Sequence, residues 1–474
     1  MDLTPTATSR GSAVLLSQGS TRVAHDAANR AARAFWDWSK TTAEERRGHL
    51  ASMAEALTVA RDELVALAAE EVGAAPQWTD FNISIAKDVL HQAGELIALM
   101  DDQQVSHADG RWSTVRRQPV GVVLGFAPWN APIILATRAV AAPIACGNTV
   151  VLKASEHCPK THERVVTLFE EAGLPKDVVN VVTNPAEDSL DIAKSLIRHP
   201  AVRRINFTGS SRVGQVVALE AAQVLKRCLL ELSGKAPLIV LEDADLDAAA
   251  AAAVTGAFFN QGQVCMSTER IIVLEEIADA FVEKLVERTK GLKASDPRME
   301  AASLGRLINA DAAQRVAGLV EDAVAKGATM KLGGNPEGAV MQPVVLDHVT
   351  PYMRIYSEES FGPVASVIRV QNQGEAISVA NDTEFGLASA VFSRDEEKAL
   401  QIADRLETGI CQINGPTVFD DPTMPFGGMK ASGYGRFGGT AALDEFTEIR
   451  WLCQHKGLEA NQIEEMLNLG RKKA

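Results

Sequence analysis

Residues 120–130 read V-G-V-V-L-G-F-A-P-W-N. The first seven form an apolar run with no polar alternation, the pattern of a strand buried on both faces, as in a parallel sheet. The Pro-Trp-Asn turn that follows, with Pro132 just beyond, opens a helix, because proline near a helix start gives up no needed hydrogen bond. The same sequence of strand, turn and helix recurs downstream. Residues 148–156, N-T-V-V-L-K-A-S-E, are a strand that ends in a polar turn. Residues 178–182 and 203–207 are two more short strands, and the second runs into T-G-S-S-R-V-G before another helix. This alternation predicts an α/β fold built on a parallel sheet.

Outward from this core the chain changes character. Val23, Ala27, Ala31, Ala34, Phe35 and Trp38 recur at helical spacing, and Thr42 with Glu45 makes a capping box, so residues 21–100 read as helical scaffold. Trp78 and Phe81 read as core in preference to the rim of a substrate tunnel. Residues 111–118 alternate in size and polarity like an exposed strand, which needs a partner. Residues 237–241 and 388–392 are further strands, and 447–452 could return as a strand beside 111–118. At 474 residues the chain calls for two or three domains.

Composition narrows the function. With 46% hydrophobic and 23% charged residues it is that of a globular protein. A net charge of −14 argues against a nucleic-acid partner. No apolar run reaches membrane-spanning length and no signal peptide is evident, so no membrane partner is expected. The six cysteines are scattered at 146, 158, 228, 265, 411 and 453 without a C-x-x-C, which suggests neither a metal site nor a disulfide framework and suits the cytoplasm.

Three stretches carry chemistry. Residues 257–270, A-F-F-N-Q-G-Q-V-C-M-S-T-E-R, set Cys265 among small and polar residues after an aromatic pair, a setting that suits a nucleophile at a pocket floor. A buried structural cysteine is the alternative. In residues 229–235, L-L-E-L-S-G-K, Glu231 sits in an apolar run, where a carboxyl has the raised pKa a general base needs. The amide of Asn130 can donate to a developing oxyanion or cap a helix.

Together these stretches resemble the NAD(P)-dependent aldehyde dehydrogenases. The chain contains P-W-N (128–130), K-x-x-E (153–156), F-T-G-S (207–210) and E-L-S-G-K (231–235). Beyond these lie F-x-N-x-G-Q-x-C (258–265), E-x-F-G-P-V (359–364) and P-F-G-G-x-K-x-S-G-x-G-R (425–436), in the family's order. The resemblance implies a Rossmann-type cofactor domain (1–105 and 121–232), an α/β catalytic domain (233–430) and a small β oligomerisation segment (106–120 and 445–474), with a homodimer or homotetramer. It implies Cys265 as nucleophile, Glu231 as general base and Asn130, with the Cys265 N–H, as oxyanion hole. Trp129, Lys153, Ser155, Glu156, Gly209, Ser210, Glu359 and Phe361 fall at positions that bind the cofactor. Glu156 favours NAD, because a carboxylate accepts from ribose hydroxyls and repels a 2′-phosphate, while Lys153 leaves NADP possible but weaker. No metal is implied.

Ala131, Leu135, Arg138, Phe259, Val264, Met266 and Phe419 fall where the family lines its aldehyde tunnel. Arg138 stands where many relatives carry an aromatic residue. A guanidinium there can bind a phenolic oxygen, a carboxylate or an aromatic face, or can turn away to a structural acid. Residues 263–270 and 413–425 are similar to the bacterial salicylaldehyde and vanillin dehydrogenase branch, although Phe419 stands where that branch leads one to expect a histidine. The expectation is therefore NAD-dependent oxidation of an aromatic aldehyde, salicylaldehyde-, vanillin- or benzaldehyde-like, to the acid. The rival readings are a semialdehyde dehydrogenase gripping a distal carboxylate through Arg138, a cofactor-free cysteine hydrolase, and a non-catalytic protein on the same fold.

Overall fold

The computed structural model describes residues 20–108 and 111–455. Residues 1–19 and 456–474, at the outer ends of the expected cofactor and oligomerisation segments, lie outside them. Four helices come first: α1 (Thr21–Trp38), α2 (Ala43–Val59), α3 (Arg61–Val72) and α4 (Pro76–Leu96). The buried face of α1 is a stripe of Ala24, Ala27, Ala28 and Ala31, small enough to lie close against the first sheet. The capping box of α2 forms as expected, with Glu45 N donating to Thr42 Oγ1 at 3.2 Å and Thr42 N to Glu45 Oε2 at 2.7 Å.

Strands β1 (Gln103–Ser106) and β2 (Trp112–Pro119) pair antiparallel. The parallel sheet follows: β3 (Val122–Phe126), β4 (Thr149–Lys153), β5 (Val179–Val182), β6 (Val202–Thr208) and β7 (Arg227–Glu231), ordered β7-β6-β3-β4-β5. Its helices are α5 (Pro132–Ala145), α6 (Pro159–Glu171), α7 (Ser189–Arg198) and α8 (Ser211–Gln223). Every residue of α5 is buried, which its continuous apolar sequence reflects, since it packs on the sheet inside and on α4 and α6 outside. Strand order reverses between β3 and β6, and such a reversal leaves a crevice at the carboxyl ends where α/β proteins bind nucleotides.

A second sheet holds β8 (Ala236–Val240), β9 (Thr268–Leu274), β10 (Thr329–Leu332), β11 (Val344–Asp347) and β12 (Val364–Val370), then, after the two-residue β13 (Phe385–Gly386), β14 (Ala388–Phe392) and β15 (Ile410–Ile413). Its order is β10-β11-β12-β9-β8-β14-β15, all parallel except the β10 edge. The glycine-dense stretch then couples the two halves. Strand β16 (Met429–Lys430) pairs with β13, and β17 (Gly433–Tyr434) with β7 beside Glu231. Gly433, at φ +102°, could not carry a side chain, because a Cβ there would lie 2.1 Å from the Leu230 carbonyl. The return strand β18 (Thr447–Gln454) pairs along β2, so the small antiparallel sheet begins at Gln103, three residues before the expected boundary. No helix among the described residues is long and apolar enough to cross a membrane.

Candidate active site

Glu231 ends β7, Asn130 joins β3 to α5, and Cys265 lies in the loop between α9 (Leu246–Phe258) and β9. The Cys265 loop is shaped by three consecutive left-handed residues, Asn260 (φ 49°), Gln261 (φ 57°) and Gly262 (φ 72°). Such a run costs conformational energy and persists only where the surroundings hold it. Here its own amides do so. Asn260 Nδ2 donates to Asn130 O at 2.9 Å, the Gln261 side chain bridges Gly305 N and Arg306 O, and Gln263 Oε1 accepts from Ile308 N at 3.0 Å. These polar residues therefore shape the loop. Gly262 likewise serves packing and not ligand approach, since a Cβ there would lie 2.1 Å from Gly362 O. Directly beneath, Gly234 lets the Cys265 carbonyl approach, and a Cβ there would sit 2.2 Å from it.

The Cys265 thiol and the Glu231 carboxyl line the same cavities, and Glu231 Oε1 has no hydrogen-bond partner among the described residues. Burial pushes Glu231 up to about 7, so it changes protonation state near neutral pH. Burial also holds the Cys265 thiol well above its ordinary range, and the negative charge of Glu231 adds to this. Glu231, which titrates near 7, thus stands at the same place in the site as this thiol. Asn130 Nδ2 donates to Gln263 O at 3.0 Å, which uses one of its two N–H bonds and ties the amide to the Cys265 loop. Asn130→Ala is expected to lower kcat by roughly 10²–10³-fold, as loss of one oxyanion donor does, with steady-state kinetics as the check.

Two cavities meet at these residues. The first is lined by Trp129, Asn130, Gly209, Ser210, Glu231, Cys265, Glu359 and Phe361, among others, at the carboxyl ends of the first sheet. Trp129 and Phe361 stand edge to face, ring centres 5.7 Å apart. Burial, then the charge of Glu269, pushes Glu359 up to about 7, while Gly234 N donates to it at 3.0 Å. Lys153, Ser155 and Glu156 are not in the lining of this cleft. They lie at and beyond the end of the neighbouring strand β4, where Lys153 Nζ reaches Ser189 Oγ at 2.8 Å and Glu156 Oε2 at 3.4 Å. A support absent from the sequence reading lies below. The fully buried Lys235 pairs with Glu269 at 2.7 Å, and Glu269 accepts from Ser360 N and Phe361 N, which pins the 359–361 turn to β9.

The second cavity opens on the other side of Cys265, Glu231 and Asn130. Ala131, Leu135, Arg138, Phe259, Val264 and Met266 line it, with Trp78, Phe81, Ile134, Val418, Asp420 and Phe426. Phe419 departs from expectation. It is 56% exposed and turned to solvent, and its neighbours Val418 and Asp420 face the cavity instead. Trp78 and Phe81 belong to the core as expected, and their rings, stacked on one another and edge to face with Phe259, also form the cavity's aromatic wall. Arg138 pairs with Asp420, Nη2 to Oδ2 at 2.7 Å, both side chains at most 7% exposed, and its guanidinium lies 4.4 Å from the centre of the Phe426 ring.

A part-buried thiol, a carboxyl titrating near 7 and an amide donor stand between a cleft at a sheet's switch point and a cavity with an aromatic wall. Residues 8–452 match the aldehyde dehydrogenase family, and the chain belongs to it. It is 50% identical over 434 residues to a vanillin dehydrogenase of Pseudomonas fluorescens, covering 91% of this chain and 90% of that one. To a salicylaldehyde dehydrogenase of Pseudomonas putida it is 46% identical over 428 residues, covering 90% and 89%. The crystal structure of a salicylaldehyde dehydrogenase from Pseudomonas putida G7 complexed with salicylaldehyde superposes with a TM-score of 0.91 at 44% identity, over 94% of this chain and 92% of that one. The protein is therefore an oxidoreductase acting on aldehydes, of a family that uses NAD or NADP. The residues present fit such a cofactor. The turn at Gly209 offers only backbone to the cleft, since a Cβ there would lie 2.6 Å from the Phe207 ring, and it leads into the N-terminus of α8, where dipole and free N–H groups favour phosphate.

Proposed function

We propose that this enzyme oxidises aromatic aldehydes to carboxylic acids with NAD as the preferred acceptor. The single observation that carries the substrate reading is the cavity beside Cys265: its wall is Trp78, Phe81, Phe259 and Phe426, and its one cation among the described residues, Arg138, is already neutralised by Asp420. An aromatic ring fills such a wall. A distal carboxylate would find the guanidinium occupied and an acid beside it, which counts against the semialdehyde reading.

In the mechanism, Glu231 takes the thiol proton and Cys265 Sγ attacks the aldehyde carbon, giving a thiohemiacetal. The Asn130 amide and the Cys265 N–H donate to the oxygen as negative charge develops there. A nicotinamide cofactor, when bound, supplies the hydride acceptor for the oxidation that leaves a thioester on Cys265. Trp129, Gly209, Ser210, Glu359 and Phe361 would hold it in the adjoining cleft, with Lys153, Ser155 and Glu156 at the ribose end. Once Glu231 has released the thiol proton to solvent, it removes a proton from water as the water attacks the thioester and returns that proton to the departing sulfur, so the acid leaves and the Cys265 thiol is restored.

The test is kcat/KM for benzaldehyde, salicylaldehyde, vanillin, succinic semialdehyde and a short aliphatic aldehyde, followed by nicotinamide reduction. The aromatic members are expected to lead, and preference for the semialdehyde would sink the reading. For the cofactor, Lys153 is engaged by Ser189 and Glu156, so it offers no free cation to a 2′-phosphate. Glu156→Ser is expected to raise the NADP-to-NAD ratio of kcat/KM about tenfold, as removal of one repulsive contact would. An unchanged ratio would remove Glu156 from the selection. The sheet of β1, β2 and β18 exposes Trp112, Ile449 and Trp451, apolar surface that fits pairing with a second copy and hence a homodimer or homotetramer.

A further inference from the structure

We propose that Asp420 sets ring specificity: the free oxygen of its carboxylate accepts a hydrogen bond from a hydroxyl group on the aromatic ring of the aldehyde. The inference rests on the aromatic-aldehyde reading above and adds a residue to it. Asp420 lines the same cavity as Cys265 and Glu231, and its side chain is only 6% exposed. One oxygen, Oδ2, is held by Arg138 at 2.7 Å. The other, Oδ1, is buried and has no hydrogen-bond partner among the described residues. The Phe426 ring against the guanidinium fixes the pair in place.

A buried carboxylate oxygen without a donor is costly, and the deficit is met by whatever enters the cavity. Two of the donors nearby are directed elsewhere. Trp78 Nε1 donates to Asn130 O at 2.9 Å, and Asn130 Nδ2 to Gln263 O at 3.0 Å. The other buried acid in the cavity, Glu231, also has an oxygen without a partner among the described residues, and it lies at the Cys265 end. The cavity thus has an acceptor at the aldehyde end and a second acceptor in Asp420. A ring hydroxyl satisfies the second, a methoxy group presents only lone pairs to it, and a carboxylate is repelled. Because Arg138 neutralises the pair, the neutral phenol is the form accommodated. A site with a buried acceptor discriminates against analogues that lack the matching donor.

The experiment compares kcat/KM for benzaldehyde, the three hydroxybenzaldehyde isomers and their methyl ethers, with wild-type enzyme and with Asp420→Asn, below and above each phenol's own pKa. With wild type at the lower pH, at least one hydroxy isomer is expected to exceed both benzaldehyde and its own ether by roughly tenfold or more. The advantage should fall as pH rises through the phenol's pKa, because a phenolate has no proton to donate. In Asp420→Asn the amide oxygen stays with Arg138 and the NH₂ faces the cavity, so a donor replaces the acceptor and the hydroxyl-to-ether ratio should collapse towards one. Equal kcat/KM for hydroxy and ether partners in wild type, a ratio unchanged in the variant, or a preference that grows as the phenolate forms would each overturn the assignment. Should the variant fail to fold, the wild-type ether comparison and its pH dependence decide alone. Oxidation of benzaldehyde without any hydroxyl advantage defeats only this inference, whereas no oxidation of any aromatic aldehyde defeats the reading beneath it as well.

Discussion

Cys265→Ala is expected to lower kcat for aldehyde oxidation by about 10⁴-fold or more, since removal of a covalent nucleophile leaves only binding and oxyanion stabilisation. The structure gives the reason that no other thiol can substitute. Cys146, Cys158 and Cys228 are buried away from the site, and Cys411 and Cys453, though part-exposed, lie outside both cavities. The protein should remain folded, because the loop that presents Cys265 is held by the Asn260, Gln261 and Gln263 amides and not by the thiol. Steady-state kinetics with a thermal melt on the same sample checks both halves. Residual activity within tenfold of wild type would contradict the assignment.

Glu231→Gln carries the second large effect, a loss of roughly 10²–10⁴ in kcat, the usual contribution of a positioned general base. Because burial raises this carboxyl to about 7, wild-type kcat should climb about tenfold per pH unit below 7 and level off above it, and the variant should lose that rise. Stability should move the opposite way. A carboxyl whose folded pKa lies above its unfolded value favours the folded state least when ionised: the cost is absent below about 4.5, grows between about 4.5 and 7, and is fully present above. Glutamine removes that buried charge, so the variant should be more stable than wild type at pH 8, on the order of 1–3 kcal/mol, and no more stable at pH 4. A thermal shift measured at both pH values tests the sign.

The parts legible in the sequence are those whose physics is local in the chain. The β3 strand and the turn to Asn130 are written in one apolar run and two prolines, and Glu231 and Cys265 each announce themselves by an unusual neighbourhood. What escaped depends on residues far apart. Arg138 and Asp420 are 282 positions apart, and nothing local tells which acid meets that arginine. The Lys235–Glu269 pair supports the 359–361 turn across the fold, although the acid four residues after Cys265 in a buried strand was a visible hint. Phe419 was misplaced because 414–425 is irregular, with no period to phase its faces, and a shift of one residue exchanges solvent for cavity. Trp78 and Phe81 share one face of α4 with core residues, so helical spacing alone could not separate cavity wall from core.

The most direct measurement is mass spectrometry of Glu231→Gln mixed with NAD and benzaldehyde at alkaline pH, where solvent base takes the Cys265 thiol proton in place of Glu231. With hydrolysis slowed, the account predicts a mass increase of one benzoyl group, confined on peptide mapping to the segment containing Cys265 and formed together with reduced nicotinamide. No adduct from folded protein, or an adduct on Cys411 or Cys453 instead, would contradict it.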